Sequence, residues 1–356
     1  MDLDLEVEGL VLRGREFDPV SGRVVVEDGT IAAVEEADVD TSRIVLPAFV
    51  NAHTHLGDSI AKEAGGGLSL EELAPPDGLK HRLLRAASTD ELVSAMERSL
   101  RYMERTGTGA CIEFREGGLR GVRAIERACE TRALRAVVLG RETVEAMYAA
   151  DGYGASGAYD GEFNRERIAT RDAGKLFGIH AGENGPADIN PALDLEPDVL
   201  VHMVHPEPLH FERLAQTETP VVVCPRSNLV TGVGTPPMAE LAERTTLALG
   251  TDDVMLNGPS MFREMEFAAK LSGDAVAADD VLRMATVNGA GIAGLDCGLI
   301  EPGRRARLLV LDGSSDNLDG VRDVVRGVVR RAGAEDVLDV VLPGSSTDTD
   351  AGADRG

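Results

Sequence analysis

The sequence has 356 residues, 43% of them hydrophobic, and 61 Asp and Glu stand against 36 Lys and Arg for a formal net charge of −25. That length suits one large domain with a small companion, and the acidic balance repels phosphate backbones, which excludes nucleic acid as a partner. No apolar run reaches the roughly 20 residues of a membrane span, so no membrane partner is expected either.

In chain order, the opening "MDLDLEVEGL" carries acids and no basic region, so no secretory signal is expected. Residues 5–13, 23–27 and 30–35 predict short strands, and "VVVEDGTIAAV" places an Asp-Gly hairpin signal between the last two. From Leu46 onward short apolar runs alternate with helical stretches. The runs are "PAFVNAH", "GACIEF", "LRAVVLG", "KLFGIHAGE", "DVLVHMVH", "PVVVCPRSN" and "TLALGTDD". Segments such as "TDELVSAMERSLRYMERTG" lie between them, with apolar positions at three-to-four spacing. Alternating strand and helix implies parallel strands with crossover helices. Seven strands are clear, and the weak "AADGYGASGAYD" region is the place for an eighth. Residues 47–295 then match the roughly 250 of an eight-stranded barrel, with a doubly wound open sheet as the competing architecture.

After Leu295 strand texture returns in "GLIEPGRRARLLVLDG" and "VRGVVRRAG". Residues 1–46 and 296–342 are therefore expected to build one small β-domain, and the polar, acidic stretch 343–356 a disordered tail. The four cysteines lie far apart, without CxxC, which suits reduced thiols in a cytoplasmic protein. The acids are spread along the chain, and lysine occurs only at Lys62, Lys80, Lys175 and Lys270. This composition suits a high-salt cytoplasm, where self-repulsion is screened.

Polar residues accumulate where the apolar runs end. His53 and His55 close the first run, Glu113 and Arg115 the second, His180 and Glu183 the fifth, His202 and His205 the sixth, and Asp252 and Asp253 the eighth. Five of the seven histidines fall at such ends. A barrel gathers its strand carboxyl ends on one face, where active sites sit. Positions i and i+2 of a strand point the same way, so His53 and His55 aim two imidazoles at one spot, as half of a transition-metal site.

The stretches "LPAFVNAHTHLGDS", "GIHAGE", "LVHMVH", "CPRSNLVTGVGTPP", "LALGTDDVMLNGPSMFREMEFA" and "ATVNGAGIAGLDCGLIEPG" recur in order over nearly the whole chain. In them the sequence resembles the amidohydrolase superfamily, in its cytosine-deaminase, chlorohydrolase and adenosine-type (S-adenosylhomocysteine-like) deaminase branch. The resemblance implies an α/β fold, a (β/α)8 metal-dependent hydrolase barrel over 47–295 with a small β-sandwich made by both termini. It implies one divalent metal, zinc or alternatively iron, held by His53, His55, His180 and Asp252. Glu183 matches the proton-shuttling acid, and His202 the histidine that polarises the scissile group. His205 matches a second histidine of less defined role.

The residues support these roles on their own. Three neutral imidazoles and one carboxylate leave a divalent ion net positive, which acidifies a bound water. Asp252 can accept a proton there, and Glu183 suits the acid–base task. The bland alternatives stay open: His202 or His205 as core histidines, Asp253 as a solvated loop acid, and Glu113 with Arg115 as a structural pair. Candidate substrate contacts are Arg115, His205, Arg82, Ser227 and Asn228, with Asp58, Lys62, Arg141 and Arg226 also in reach. Ser227 and Asn228 have helix capping or backbone bonding as their alternative.

Related enzymes with two metals use a carboxylated lysine on the fourth strand, whereas only Lys175 lies near that place, which favours a single metal. An acid usual in the small domain is replaced by Arg307 in "ARLLVLD". The GxGxxG match in "GYGASG" follows no clear strand and lacks a ribose-binding acid, so dinucleotide binding is rejected. "HPE" at 205–207 has no following PCxxC, which rejects the other zinc-deaminase fold. The expected function is hydrolytic deamination of an aminated heterocycle, of nucleoside or base type, through a metal-activated water. The alternatives are a cyclic-amide or chlorohydrolase-like enzyme on the same metal site, and a non-catalytic scaffold. The partner is a small-molecule substrate, with a homo-oligomer left open.

Overall fold

The computed structural model describes residues 4–68, 72 and 77–343. The acidic tail expected over 343–356 lies, apart from Pro343, outside the described residues. Among the described residues, fifteen strands fall into two sheets. The smaller takes β1 (Leu5–Arg13), β2 (Asp18–Glu27), β3 (Thr30–Glu36) and β4 (Arg43–Pro47) from the amino-terminal part. The barrel strands are β5 (Phe49–His55), β6 (Thr108–Arg115), β7 (Arg135–Gly140), β8 (Gly152–Ala155), β9 (Leu176–Ala181), β10 (Val199–His202), β11 (Val221–Val223), β12 (Leu247–Leu249) and β13 (Asp252–Asp253). Then β14 (Leu308–Asp312) and β15 (Val337–Val341) return to the smaller sheet, whose order is β15-β14-β4-β1-β2-β3.

The termini do come together, as the apolar patterning predicts. Among the described residues they form one six-stranded sheet, in which β1 pairs in parallel with β4 and thereby joins the amino-terminal hairpins to β14, and residues of β2 and β3 pack with those of β14 and β15 in one core, in part as the small β-sandwich expected. The Asp-Gly signal is realised as expected. Asp28 (φ 50°) and Gly29 (φ 70°) are both left-handed between paired Glu27 and Thr30, the two-residue turn that matches strand twist. "VRGVVRRAG" is a correction. Val324–Arg330 is a helix, not a strand. Asp323 caps it by accepting from the Arg326 N–H at 3.0 Å, and Val325, Val328 and Val329 recur at helical spacing to bury one face.

All pairings in the larger sheet are parallel. Every residue of β5, "FVNAHTH", is buried, as a parallel strand covered on both faces requires. Strand β12 breaks at Gly250–Thr251 and resumes as β13, which pairs with β5 through Asp252–Thr54 and Asp253–His55. A reciprocal bond between the Asn51 amide and Thr251 fastens this seam, with Nδ2 donating at 2.7 Å and the Thr251 N–H donating back at 3.0 Å. The result is a TIM-like barrel.

The helices cover it with amphipathic faces. In Thr89–Arg105, Ser88 and Glu91 form a reciprocal cap, and Leu92, Met96, Leu100 and Met103 line the buried side. Burial of each such side chain contributes about 1.5–3 kcal/mol. The weak fourth strand, β8, is where the sequence places it. Its glycines serve packing: a Cβ at Gly154 would lie 2.5 Å from Phe114 Cδ1. Arg307 is buried and donates to the Gly109 and Ala133 carbonyls at 3.0 Å each, tying β14 to the barrel.

Candidate metal centre and active site

Strand register brings the expected residues to one end of the barrel. His53 Nε2 lies 3.2 Å from Asp252 Oδ1. His55 Nε2 lies 3.4 Å from His180 Nε2 and 3.6 Å from the same Asp252 oxygen. Donors about 2.0–2.2 Å from a tetrahedral ion stand roughly 3.3–3.6 Å apart, so these spacings fit one ion. His53, His55 and His180 form one group able to hold a metal, and His53, His202 and Asp252 a second that overlaps it.

The protonation states fit as well. Burial pushes His53 down to about 4, although its bond with Asp252 pulls the other way. Burial, with His53 and His202 nearby, also holds His180 well below the usual histidine range. Both shifts favour the neutral imidazole, the form that can hold a metal. Burial opposes ionisation of Asp252, but its bond with His53 and the nearby imidazoles of His202 and His55 hold its carboxyl well below the usual range. The outer contacts point the donors inward. His180 Nδ1 donates to the Ala155 carbonyl at 2.8 Å, leaving Nε2 with its lone pair. Ser227 Oγ donates to Asp252 Oδ2 at 2.6 Å, leaving Oδ1 for the cluster. The donor set fits a divalent metal.

Beside the cluster, Glu183 Oε2 stands 3.6 Å from His202 Nε2. Burial pushes Glu183 up, and the neighbouring His202 opposes it. The Asn228 amide nitrogen faces His202 Nδ1 at 3.2 Å. His202 (φ 80°), Met203 (φ 51°) and Asp252 (φ 59°) hold left-handed backbone conformations that non-glycine residues rarely adopt. Such strain concentrates at sites where direction matters more than stability.

The remaining candidates separate. Ser227 and Asn228 face Asp252 and His202, in place of a helix cap or backbone bond. Arg115 is buried, and its donors go to Glu113 at 3.1 Å and to Glu116 at 3.0 Å, the structural pairing. Arg82 is exposed and donates to the Asp77 carbonyl. His205 is half-buried, with its backbone N–H on Gly182. Asp253 is no solvated loop acid, since Lys80 pairs with it in the interior. Lys175 donates to the Met147, Tyr148 and Ala150 carbonyls.

Three residues at the site stand outside the candidates expected from the sequence. Glu116 Oε1 lies 2.6 Å from His55 Nδ1, and Lys80 Nζ lies 3.3 Å from that same oxygen. Phe114 underlies the cluster, with its ring 4.5 Å from that of His53 and 5.1 Å from that of His180. For Glu116 the available signal was its place directly after a strand end already holding Glu113 and Arg115.

The amidohydrolase family model matches residues 44–183 and 169–344. The chain belongs to the amidohydrolase family. It is a hydrolase acting on carbon–nitrogen bonds. The uncharacterized protein MJ0699 of Methanocaldococcus jannaschii is 32% identical, the match covering 93% of this chain and 96% of that protein. The 5-methylthioadenosine/S-adenosylhomocysteine deaminase of Haloarcula marismortui is 28% identical, covering 91% of this amidohydrolase and 86% of the relative. The crystal structure of an adenosine deaminase from Xanthomonas campestris with bound zinc superposes with a TM-score of 0.80 at 22% identity. That match covers 96% of this chain and 92% of the other, and it shows the shared fold. Among the described residues no helix is long and apolar enough to cross a membrane.

Proposed function

We propose that this amidohydrolase is a metal-dependent deaminase of an aminated heterocycle, most closely of adenosine-type nucleosides. The observation that carries the reading is the placement of the Glu183–His202 pair beside four converging donors, His53, His55, His180 and Asp252. The relationship to nucleoside deaminases supports the substrate class. A single divalent ion, zinc first and iron second, would be held by the four donors and would supply Lewis acidity and a water of lowered pKa.

The chain's own residues do the rest. Glu183, whose carboxyl burial pushes up, is placed to take up a proton and pass it to the departing amine. His202, set by Asn228, presents Nε2 toward the same space and orients the group under attack. Asp252, steadied by Ser227, remains ionised and available to take a proton.

The test is an ammonia-release screen in molar salt across aminated purine nucleosides, pyrimidines and pterins, with chloride release followed on halogenated analogues. Ammonia from the nucleosides supports the reading. Chloride release or cyclic-amide opening without ammonia would replace it with the alternative chemistry.

A further inference from the structure

Lys80 lies outside the residues expected to do chemistry, yet the helix Leu79–Ala86 buries it beside the candidate metal centre. Its ammonium meets three carboxylates: Asp253 in the shortest contact, Glu116 Oε1 at 3.3 Å and Asp58 Oδ2 at 3.7 Å. Glu116 Oε1 in turn lies 2.6 Å from His55 Nδ1, on the ring whose Nε2 faces His180 and Asp252. Asp253 adjoins Asp252 in the chain. The lysine therefore touches none of the four donors but grips the groups behind two of them. Arg115 and Arg141 also reach Glu116, at 3.0 and 3.2 Å, so this carboxylate is fixed from several sides.

We propose that Lys80 is a positioning residue for the metal centre: it bridges Glu116 and Asp253, and so fixes the ring of His55 and the β13 segment that carries Asp252. A buried lysine is a costly choice unless its partners hold its charge. Burial pushes the ammonium down, but Asp253, Glu116 and Asp58 together raise it. A carboxylate behind a ligating histidine orients the ring and strengthens it as a donor, and loss of such a partner commonly weakens metal binding about 10–100-fold. Without the ammonium Asp253 would lose its cation and Glu116 one of its three, which loosens the link between the His55 ring and β13. This inference rests on the metal reading above.

The test uses metal-free full-length chains of the parent, Lys80→Met, Glu116→Gln and the double variant. Each is titrated with zinc against a chromophoric chelator and melted without metal. Lys80→Met and Glu116→Gln are each expected to weaken zinc about 10–100-fold. The double variant should lose less than the two losses combined, because the residues act in series. Lys80→Arg, which keeps the charge, should recover part of the affinity. Should Lys80→Met fail to fold, Glu116→Gln decides, since it keeps the size of the side chain and removes its charge. Parent-like zinc affinity in folded Glu116→Gln, or an effect of Lys80→Met confined to the metal-free melting temperature, overturns the proposal. A parent chain that takes up no zinc overturns the metal reading and this inference with it.

Discussion

Glu183 and His180 stand three residues apart, and the account gives them different work. Gln at 183 keeps nearly the same size but cannot shuttle a proton, and acid–base groups commonly contribute about 10²–10⁴-fold to rate. Glu183→Gln should therefore keep its metal and fold while turnover falls by about that factor. His180→Ala removes a donor and should lose metal and activity together. Metal analysis and ammonia release on the same preparations read both, and a Glu183→Gln protein with most of its activity would take the proton-carrying role away from Glu183. The residues at strand ends were legible because strand periodicity aims His53 and His55 at one point, and because a barrel collects such ends. Glu116 and Lys80 were not legible, since their value lies in contact with His55 and Asp253, which only the folded chain brings near. Ser227 and Asn228 were singled out without their partners, because a hydroxyl or an amide at a helix start satisfies capping and side-chain bonding equally well in sequence.

Among the elements, β6, β8 and β9 form a platform that no single one of them reveals. Phe114 on β6 lies across Gly154 on β8 and Gly178 on β9, where an added Cβ would approach its ring to 2.5 and 2.6 Å. Its ring also packs against His53 and His180, so displacement is transmitted to the donors. Gly154→Ala should then destabilise the fold by about 1–3 kcal/mol, as overpacking does. It should also weaken zinc binding, whereas Gly174→Ala, whose Cβ meets nothing within 4 Å but whose backbone is left-handed, should cost stability alone. Urea midpoints and zinc titration separate the two, and a Gly154→Ala protein with parent-like values in both would remove Phe114 as a support. The same glycines explain why β8 read weakly, since "GYGA" lacks the β-branched residues that mark a strand. The opposite error arose at Val324–Arg330. Its valines suggest a strand, but the Asp323 cap and the spacing of Val325, Val328 and Val329 against neighbouring helices decide for helix.

At the scale of the whole molecule, the net charge of −25 implies self-repulsion that salt relieves. The thermal midpoint should rise from low to molar potassium chloride, and equal midpoints would contradict the reading of the composition as a high-salt adaptation. The barrel and the β-domain shared by both termini were legible because strand and helix textures mark them, while the parallel β1–β4 pairing inside that domain was not, because it is set by tertiary closure and leaves no local mark. The central claim is that four converging donors make this amidohydrolase a metal-dependent deaminase. Its most direct test is ammonia release from the best nucleoside substrate, measured on one preparation before chelation, after chelation and after zinc is returned. The account predicts that release stops when the metal is stripped and returns with about one zinc per chain. Release that continues unchanged in the stripped protein would contradict it.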